Sequence, residues 1–373
     1  MQSTGQSCYE AADSKRLLLL REKKVMDLVP RDKRRRLVEV PYTATLADTM
    51  NTLLAHRVAA VPVAAPPGQW IGAGGSMILE HDKSTGAARK HYIGMVTMLD
   101  VLAHIAGDGE EDLDLKMAAQ VSSIIGHCLE TLTLWTLNPA MSLVDCMEVF
   151  SKGIHRAMVP LESLQQSESL AGVELVESAS SYGMLSQMDV LKFLREYNRQ
   201  HPEGELKHIM SCRIKVEDDA AAVFGISDES TVMDAIKCMK AALLTALPIL
   251  HSPIAIQEHH SQLFNGKNMK VRATFSATDL RACPIPLLKT CLQWKVVDFL
   301  RMQEVMRPSL VAGTREMTLG EAVEKVVCNG VHRIWVVDRH DLLQGLLSLT
   351  DILKLIRLSL LGSFATPTGK TSI

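Results

Sequence analysis

The chain has 373 residues, enough for two or three domains of average size, and a formal net charge of −2 at pH 7. That charge gives no general attraction to nucleic acid or to an anionic membrane surface, and no apolar run is as long as a membrane span. Eight cysteines occur without a C-x-x-C pair, which favours reduced thiols in the cytoplasm, or also in the nucleus, over a disulfide framework or a zinc site.

The N-terminal segment carries small and polar side chains, and residues 1–21 are predicted to be disordered. A basic run, RDKRRR at residues 31–36, is typical of a solvated loop, with a nuclear import signal or a phosphate contact as alternatives. A strand is predicted over residues 38–40, before the first amphipathic helix. At the other end of the chain, residues 362–373 are expected to be flexible.

One pattern then occurs four times. Apolar residues spaced for one helix face are followed by a β-branched or apolar strand, a turn and a second strand. The four apolar stripes are Leu46, Met50, Leu53 and Leu54; Leu143, Cys146, Met147 and Phe150; Val232, Ala235, Ile236 and Met239; and Leu319, Ala322, Val323, Val326 and Val327. Because so short a unit cannot bury its apolar faces alone, we expect the copies to pack against one another.

Each second strand ends on a hydroxyl residue that is followed three positions later by an aspartate. The pairs are Thr97 with Asp100, Ser186 with Asp189, Ser276 with Asp279, and Ser348 with Asp351. This spacing predicts a capping box at the start of the next helix. In the third copy Pro284 and Pro286 should interrupt that helix.

The four copies, with VHRIWVVD and GLLSLTDIL in the last, resemble cystathionine-β-synthase-type (CBS) repeats. They are most similar to the plant gamma-like branch of the regulatory subunits of AMP-activated and sucrose non-fermenting-related kinases. The resemblance implies an α/β (α+β repeat) fold with two tandem pairs in a flattened disc. It also implies a non-enzymatic subunit that contacts a catalytic alpha subunit and a beta-type subunit. The expected boundaries are residues 22–110, 111–200, 201–300 and 301–361.

The resemblance also implies that these four hydroxyl–aspartate pairs contact a ribose, with the aspartates accepting hydrogen bonds from ribose hydroxyls, in addition to their capping role. A second feature is a basic pair at the head of the first strand in the even copies, namely His155 with Arg156 and His332 with Arg333. These side chains offer directed, charged donors, which suits the phosphates of a nucleotide better than a plain solvated strand edge. AMP, ADP or ATP is therefore expected as a regulatory ligand, with no required cofactor or metal.

The odd copies depart from this pattern. Ala59 and Ala60 in the first copy and Thr245 and Ala246 in the third replace the basic pair, and Arg57 lies too early to align. Met188 stands where the family has a lysine. We therefore expect a thinner positive lining and weaker phosphate discrimination than in the nucleotide-sensing relatives.

The remaining motifs do not indicate a phosphate-binding loop or a metal site. The glycine-rich stretch at residues 66–76 lacks a P-loop ending, and His251, His259 and His260 lack metal-ligand spacing. No activated nucleophile or acid–base pair is visible, which disfavours a nucleotide-processing enzyme. A structural adaptor with empty ligand sites remains the alternative.

Overall fold

The computed structural model describes residues 20, 22–29, 37–65, 90–107, 112–128, 131, 134–161, 181–214, 222–251, 261–282, 285–302 and 310–362. Within these ranges the predicted order of helix, strand, strand and helix is confirmed in all four copies, which we call repeats one to four. The helices are α1 Val25–Leu28, α2 Leu46–Ala55, α3 Met98–Ile105, α4 Leu113–Ala118, α5 Leu143–Ser151, α6 Gln187–Gln200, α7 Glu205–Ser211, α8 Val232–Ala241, α9 Ile285–Gln293, α10 Val296–Arg301, α11 Leu319–Asn329 and α12 Leu349–Gly362.

The strands form one small sheet in each repeat. In each sheet two strands pair antiparallel as a hairpin, and in repeats one, three and four a further short strand runs parallel to the first hairpin strand. The strands are β1 Val40–Pro41, β2 Ala60–Ala64, β3 Tyr92–Thr97, β4 Arg156–Pro160, β5 Tyr182–Ser186, β6 Phe224–Ser227, β7 Ala246–Leu250, β8 Phe264–Asn265, β9 Val271–Ser276, β10 Ala312–Gly313, β11 Arg333–Val337 and β12 Leu343–Ser348.

The first helix of repeat four shows how local sequence sets these elements. Thr318 caps α11 and accepts a hydrogen bond from the Glu321 amide, while the Glu321 side chain returns to the Thr318 amide. The apolar stripe is buried, and Gly330 ends the helix with φ +62°. The equivalent residues of the other repeats also have positive φ; they are Arg57 (+53°), Gly153 (+93°) and Leu243 (+54°). Each repeat thus turns from helix to strand through a left-handed residue.

The tandem repeats meet through their sheets. Met158 and Tyr182 of repeat two are buried at the contact with repeat one, where the rings of Tyr92 and Tyr182 pack edge to face with centroids 5.6 Å apart. Repeats three and four share a second apolar cluster, formed by Leu250, Val271, Trp335, Val337 and Leu343. The predicted tandem pairs are therefore present.

The helices join the two pairs in a way that the sequence did not predict. Repeats one and three share one large core, where α3 contacts α8, and repeats two and four share another, where α5 contacts α12. Each repeat therefore has one neighbour across its sheet and another across its helices. The four interfaces close into a ring, an arrangement consistent with the expected disc.

The segments between repeats correct the predicted boundaries. The residue that caps the first helix of each repeat pairs with a connecting segment through a backbone bridge; the bridges are Thr45 with Gln120, Ser142 with Lys24, Thr231 with Lys295 and Thr318 with Arg213. Residues 23–29 thus pack on repeat two rather than repeat one, and residues 212–214 hold repeat four rather than repeat three. Boundaries that divide the chain into four consecutive repeats are not correct, because these connecting segments pack on a repeat that is distant in the sequence. Leu20 is buried in the same core, which does not fit a disordered segment as far as residue 21.

Repeat three has the predicted interruption. After β9 the chain makes a single 3₁₀ turn, Asp279–Ala282, and α9 then begins at Ile285. The basic run at residues 31–36, the glycine-rich stretch at residues 66–76, His259, His260 and residues 363–373 lie outside the described residues. Among the described helices none combines the length and apolar character that crossing a bilayer requires.

Candidate anion site between the four repeats

A cavity of about 770 Å³ lies where the four repeats meet. Its volume is in the range of small-molecule sites. Every repeat contributes a cationic or titratable basic side chain to its wall; these are His56 and Arg57, then His155, Arg156 and Lys192, then Arg281, and finally His332 and Arg333. No carboxylate side chain is found among the described residues that line the cavity. The wall therefore has the electrostatic character of an anion site.

The two predicted His-Arg pairs come together in this cavity because of strand register. Arg156 begins β4 directly opposite Ser186, and Arg333 begins β11 directly opposite Ser348. In the odd repeats alanines occupy the same register, with Ala60 opposite a threonine in repeat one. Each even repeat thus places an arginine next to the hydroxyl that starts its second helix.

The backbone next to these pairs is fixed in the same way in both even repeats. The His155 carbonyl accepts a hydrogen bond of 3.1 Å from the Gln187 amide, and the His332 carbonyl accepts one of 3.1 Å from the Leu349 amide. Because these amides belong to the first residues of α6 and α12, each basic pair is anchored to a helix N-terminus. Such an end favours negative charge nearby.

Two polar contacts connect different repeats at the cavity wall. The Arg333 guanidinium donates to the Thr245 hydroxyl and to the Ala246 carbonyl, and so joins repeat four to repeat three. The buried side-chain amide of Gln187 donates through Nε2 to Thr350 Oγ1 at 2.8 Å, and so joins repeat two to repeat four. The wall is therefore continuous with the interfaces that hold the ring together.

The odd repeats also bring cationic residues to the cavity lining, although they lack the basic pair. Arg57 reaches the wall from the end of α2, and Arg281 reaches it from the 3₁₀ turn after β9. Arg281 Nη1 donates to the Arg57 carbonyl at 3.2 Å, and Arg281 Nε donates to the Thr278 carbonyl at 3.2 Å. The basic pair is absent from its usual position in these repeats, but arginines at other positions line the cavity.

Lys192 is a further cation that the sequence comparison of repeats missed. Met188 does line the cavity and offers no charge, as predicted. Lys192 lies four residues later on the same helix, α6, and residues at that spacing share a helix face. The spacing is the signal that would have identified it.

The four hydroxyl–aspartate pairs all form the predicted caps. In each pair the hydroxyl donates to the aspartate, at 2.6 Å from Thr97, 2.6 Å from Ser186, 2.7 Å from Ser276 and 2.6 Å from Ser348. Of these eight residues only Ser186 and Ser348 line the cavity. Asp189 is buried, Asp279 is half-buried and Asp351 is exposed.

The predicted ribose contact does not fit Thr97 and Asp100. Asp100 is 0 % exposed, and its Oδ2 accepts from the Thr97 amide and hydroxyl. Its Oδ1 accepts from the Cys128 amide at 3.0 Å and the Thr131 hydroxyl at 2.8 Å. Both carboxylate oxygens are occupied by protein donors, so none is presented to a ribose hydroxyl.

His251 lies beside an ion pair formed by Asp228 and Arg272. Its Nδ1 lies 3.1 Å from Asp228 Oδ2, and the same oxygen lies 3.1 Å from Arg272 Nε. Among the described residues no group of three or more His, Cys, Asp or Glu side chains could hold a metal ion.

Comparison with known proteins adds to this geometry. A CBS domain model matches residues 302–358. The chain is 56% identical over 333 residues to the SNF1-related protein kinase regulatory subunit gamma-like PV42a of Arabidopsis thaliana, which covers 87% of this chain and 93% of that protein. It is 50% identical over 351 residues to the regulatory subunit gamma-like PV42b of the same plant, with 91% and 95% covered.

A solved structure shares the overall fold. Protein MJ1225 of Methanocaldococcus jannaschii, described as an archaeal homologue of the gamma subunit of AMP-activated kinase, superimposes with a TM-score of 0.56. The match covers 89% of this chain and 99% of that one at 16% sequence identity. At this identity the likeness concerns the fold alone.

Proposed function

The chain belongs to the family of SNF1-related protein kinase regulatory gamma-like subunits, and we propose that it takes an adenine nucleotide into the cavity between its repeats. We place it as a non-catalytic subunit beside a catalytic alpha subunit and a beta-type subunit. The observation that supports the ligand is the meeting of two His-Arg pairs, His155 with Arg156 and His332 with Arg333, in one cavity.

The chemistry of these groups suits a nucleotide phosphate. An arginine can grip two phosphate oxygens through parallel charged hydrogen bonds, and a histidine adds a directed donor when protonated. The N-termini of α6 and α12, which carry the hydroxyls Ser186 and Ser348 at the cavity wall, add favourable dipoles. AMP, ADP and ATP all present the required phosphate.

Regulation would act through the contacts between repeats. A ligand shifts a conformational equilibrium only by the difference in its affinity for the two states. Arg333 bonds to Thr245 across one interface, and Gln187 bonds to Thr350 across another, next to the ligand. A phosphate that competes for Arg333 would weaken the first contact and so favour a different arrangement of the ring, which a bound kinase subunit would detect.

Calorimetric titration of the purified chain with AMP, ADP and ATP tests the ligand part. We expect binding in the wild type and a loss of at least about tenfold in affinity in Arg333→Ala, because a charged hydrogen bond to phosphate contributes about 1.5–3 kcal/mol. Arg339→Ala is the matched control, since Arg339 is exposed and lies outside the cavity lining. Absence of heat with all three nucleotides in the wild type would refute this part.

A structural adaptor with empty sites is the second candidate. The observation in its favour is that all four aspartates cap helices and that Asp100 is closed to a ligand. For this candidate, co-purification with the alpha and beta-type subunits should be unchanged by nucleotide and by Asp351→Ala. Release of phosphate from a nucleotide by the purified chain would contradict the non-catalytic assignment in both candidates.

A further inference from the structure

Two arginines that line the cavity, Arg57 and Arg281, belong to the repeats that lack the basic pair, and their presence favours a particular class of anion. We propose that Arg57 and Arg281 make the cavity selective for polyphosphates, meaning anions with three or more linked phosphates, over monophosphates. The inference deepens the proposed function, and it rests on that function only for the place where the ligand binds.

Arg57 occupies a position that carries no side chain in the even repeats. Repeats two and four have Gly153 and Gly330 there, with φ +93° and +62°, whereas Arg57 has φ +53°. A residue with a β-carbon is strained in this left-handed conformation, so glycine would suit the backbone better. The arginine therefore adds a cation to the cavity wall at a conformational cost.

Arg281 brings a second guanidinium to the same wall. Its Nη1 donates to the Arg57 carbonyl at 3.2 Å, so the side chain from repeat three lies against the backbone of repeat one. Both arginines line the cavity, and no carboxylate is present in its described lining. Two like charges on one wall repel each other, and an anion with several charges offsets that repulsion better than one with few.

The distribution of cations also favours an extended anion. Arg57 and Arg281 belong to repeats one and three, and Arg156 and Arg333 belong to repeats two and four. One phosphate group has few acceptor oxygens, so it can contact fewer of the arginines that line a cavity of about 770 Å³ than a longer anion can. A chain of three phosphates carries more charge and more acceptor oxygens, and it can contact several repeats together.

Arg57→Gly provides a test that does not endanger the fold, because glycine is the residue that the even repeats use at this position. Leu243→Gly is the matched control, since Leu243 has φ +54° at the equivalent position of repeat three and does not line the cavity. Each variant and the wild type are titrated with ATP, AMP and inorganic tripolyphosphate at two ionic strengths, and folding is checked by thermal unfolding.

We expect the wild type to bind ATP and tripolyphosphate about tenfold or more tightly than AMP. Arg57→Gly should lower the affinity for ATP and tripolyphosphate by about tenfold and weaken their dependence on salt, while Leu243→Gly should change neither. AMP affinity should change much less, because one phosphate reaches fewer arginines. A larger affinity for ATP than for tripolyphosphate would identify a nucleoside triphosphate rather than a free polyphosphate as the natural source of the anion.

The outcomes separate this inference from the proposed function. If AMP binds as tightly as ATP, or if Arg57→Gly leaves ATP binding unchanged, polyphosphate selectivity is overturned while nucleotide binding stands. If tripolyphosphate binds in an Arg57-dependent way and no adenine nucleotide binds, the selectivity stands and the nucleotide part of the proposed function fails.

Discussion

Asp100→Ala removes a carboxylate that accepts four hydrogen bonds inside the core of repeat one. Two of the donors, the amide and hydroxyl of Thr97, form the helix cap, a feature that contributes about 1 kcal/mol. The other two donors, the Cys128 amide and the Thr131 hydroxyl, are buried and lie 28 and 31 residues away in the chain. The substitution therefore removes the hydrogen bonds from Cys128 and Thr131 to Asp100 as well as the helix cap.

The free-energy cost follows from what each donor can do after the substitution. The Thr131 hydroxyl can turn to the Cys128 carbonyl, which lies 2.9 Å away. The Cys128 amide is left without its acceptor in the core, at a cost of about 2 kcal/mol. With the lost cap, Asp100→Ala should lower the free energy of unfolding by about 3 kcal/mol. Asp351→Ala loses only the bonds to Ser348 at an exposed site and should cost about 1 kcal/mol.

Urea unfolding of the two variants and the wild type, followed by circular dichroism, measures this difference. We expect a clearly lower urea midpoint for Asp100→Ala than for Asp351→Ala. Equal midpoints would show that the bonds to Cys128 and Thr131 contribute nothing. If Asp100→Ala kept the wild-type stability and lost nucleotide binding, Asp100 would face a ligand, and our rejection of its ribose contact would be wrong.

Three further substitutions test separate parts of the structure. Thr274→Val removes the acceptor for the indole N–H of buried Trp335 at the contact between repeats three and four, and should cost about 1–2 kcal/mol in a thermal or urea unfolding measurement. Gly330→Ala should cost about 1 kcal/mol in the same measurement, because the added β-carbon has free space but φ is +62°. The Arg195 guanidinium lowers the pKa of Glu324 below its ordinary value of 4.5, so this contact between repeats two and four stabilises the fold above pH 4.5 and is lost as the pH falls through the lower folded-state pKa. Because the pair is partly exposed, Glu324→Gln should lower stability by less than about 1 kcal/mol at pH 7 and leave it unchanged at about pH 2, and an equal loss at both pH values would contradict the assignment.

The features that were predicted from sequence depend on short-range patterns. The apolar stripe from Leu319 to Val326 and the stop at Gly330 lie within one helix, and the spacing alone determines them. The meeting of Arg156 and Arg333 followed from comparing equivalent positions in two copies of one repeat. Because a hairpin fixes its own register, equivalent residues take equivalent places in space.

The features that were missed depend on contacts between distant segments. Arg57, Lys192 and Arg281 reach the cavity from positions other than the one that the two His-Arg pairs share, so a comparison of that position passes over them. The burial of Asp100 depends on donors about thirty residues away, which no local motif reveals. The pairing of repeats one with three and two with four escaped prediction because all four apolar helix faces are alike in composition.

A structure of the chain with bound ATP would show whether all four repeats share one anion site. We expect phosphate density inside the cavity, within hydrogen-bonding distance of Arg156 and Arg333 and with further contacts to Arg57 or Arg281. Phosphate density outside the cavity, or an ATP molecule whose phosphates contact none of these arginines, would contradict this expectation.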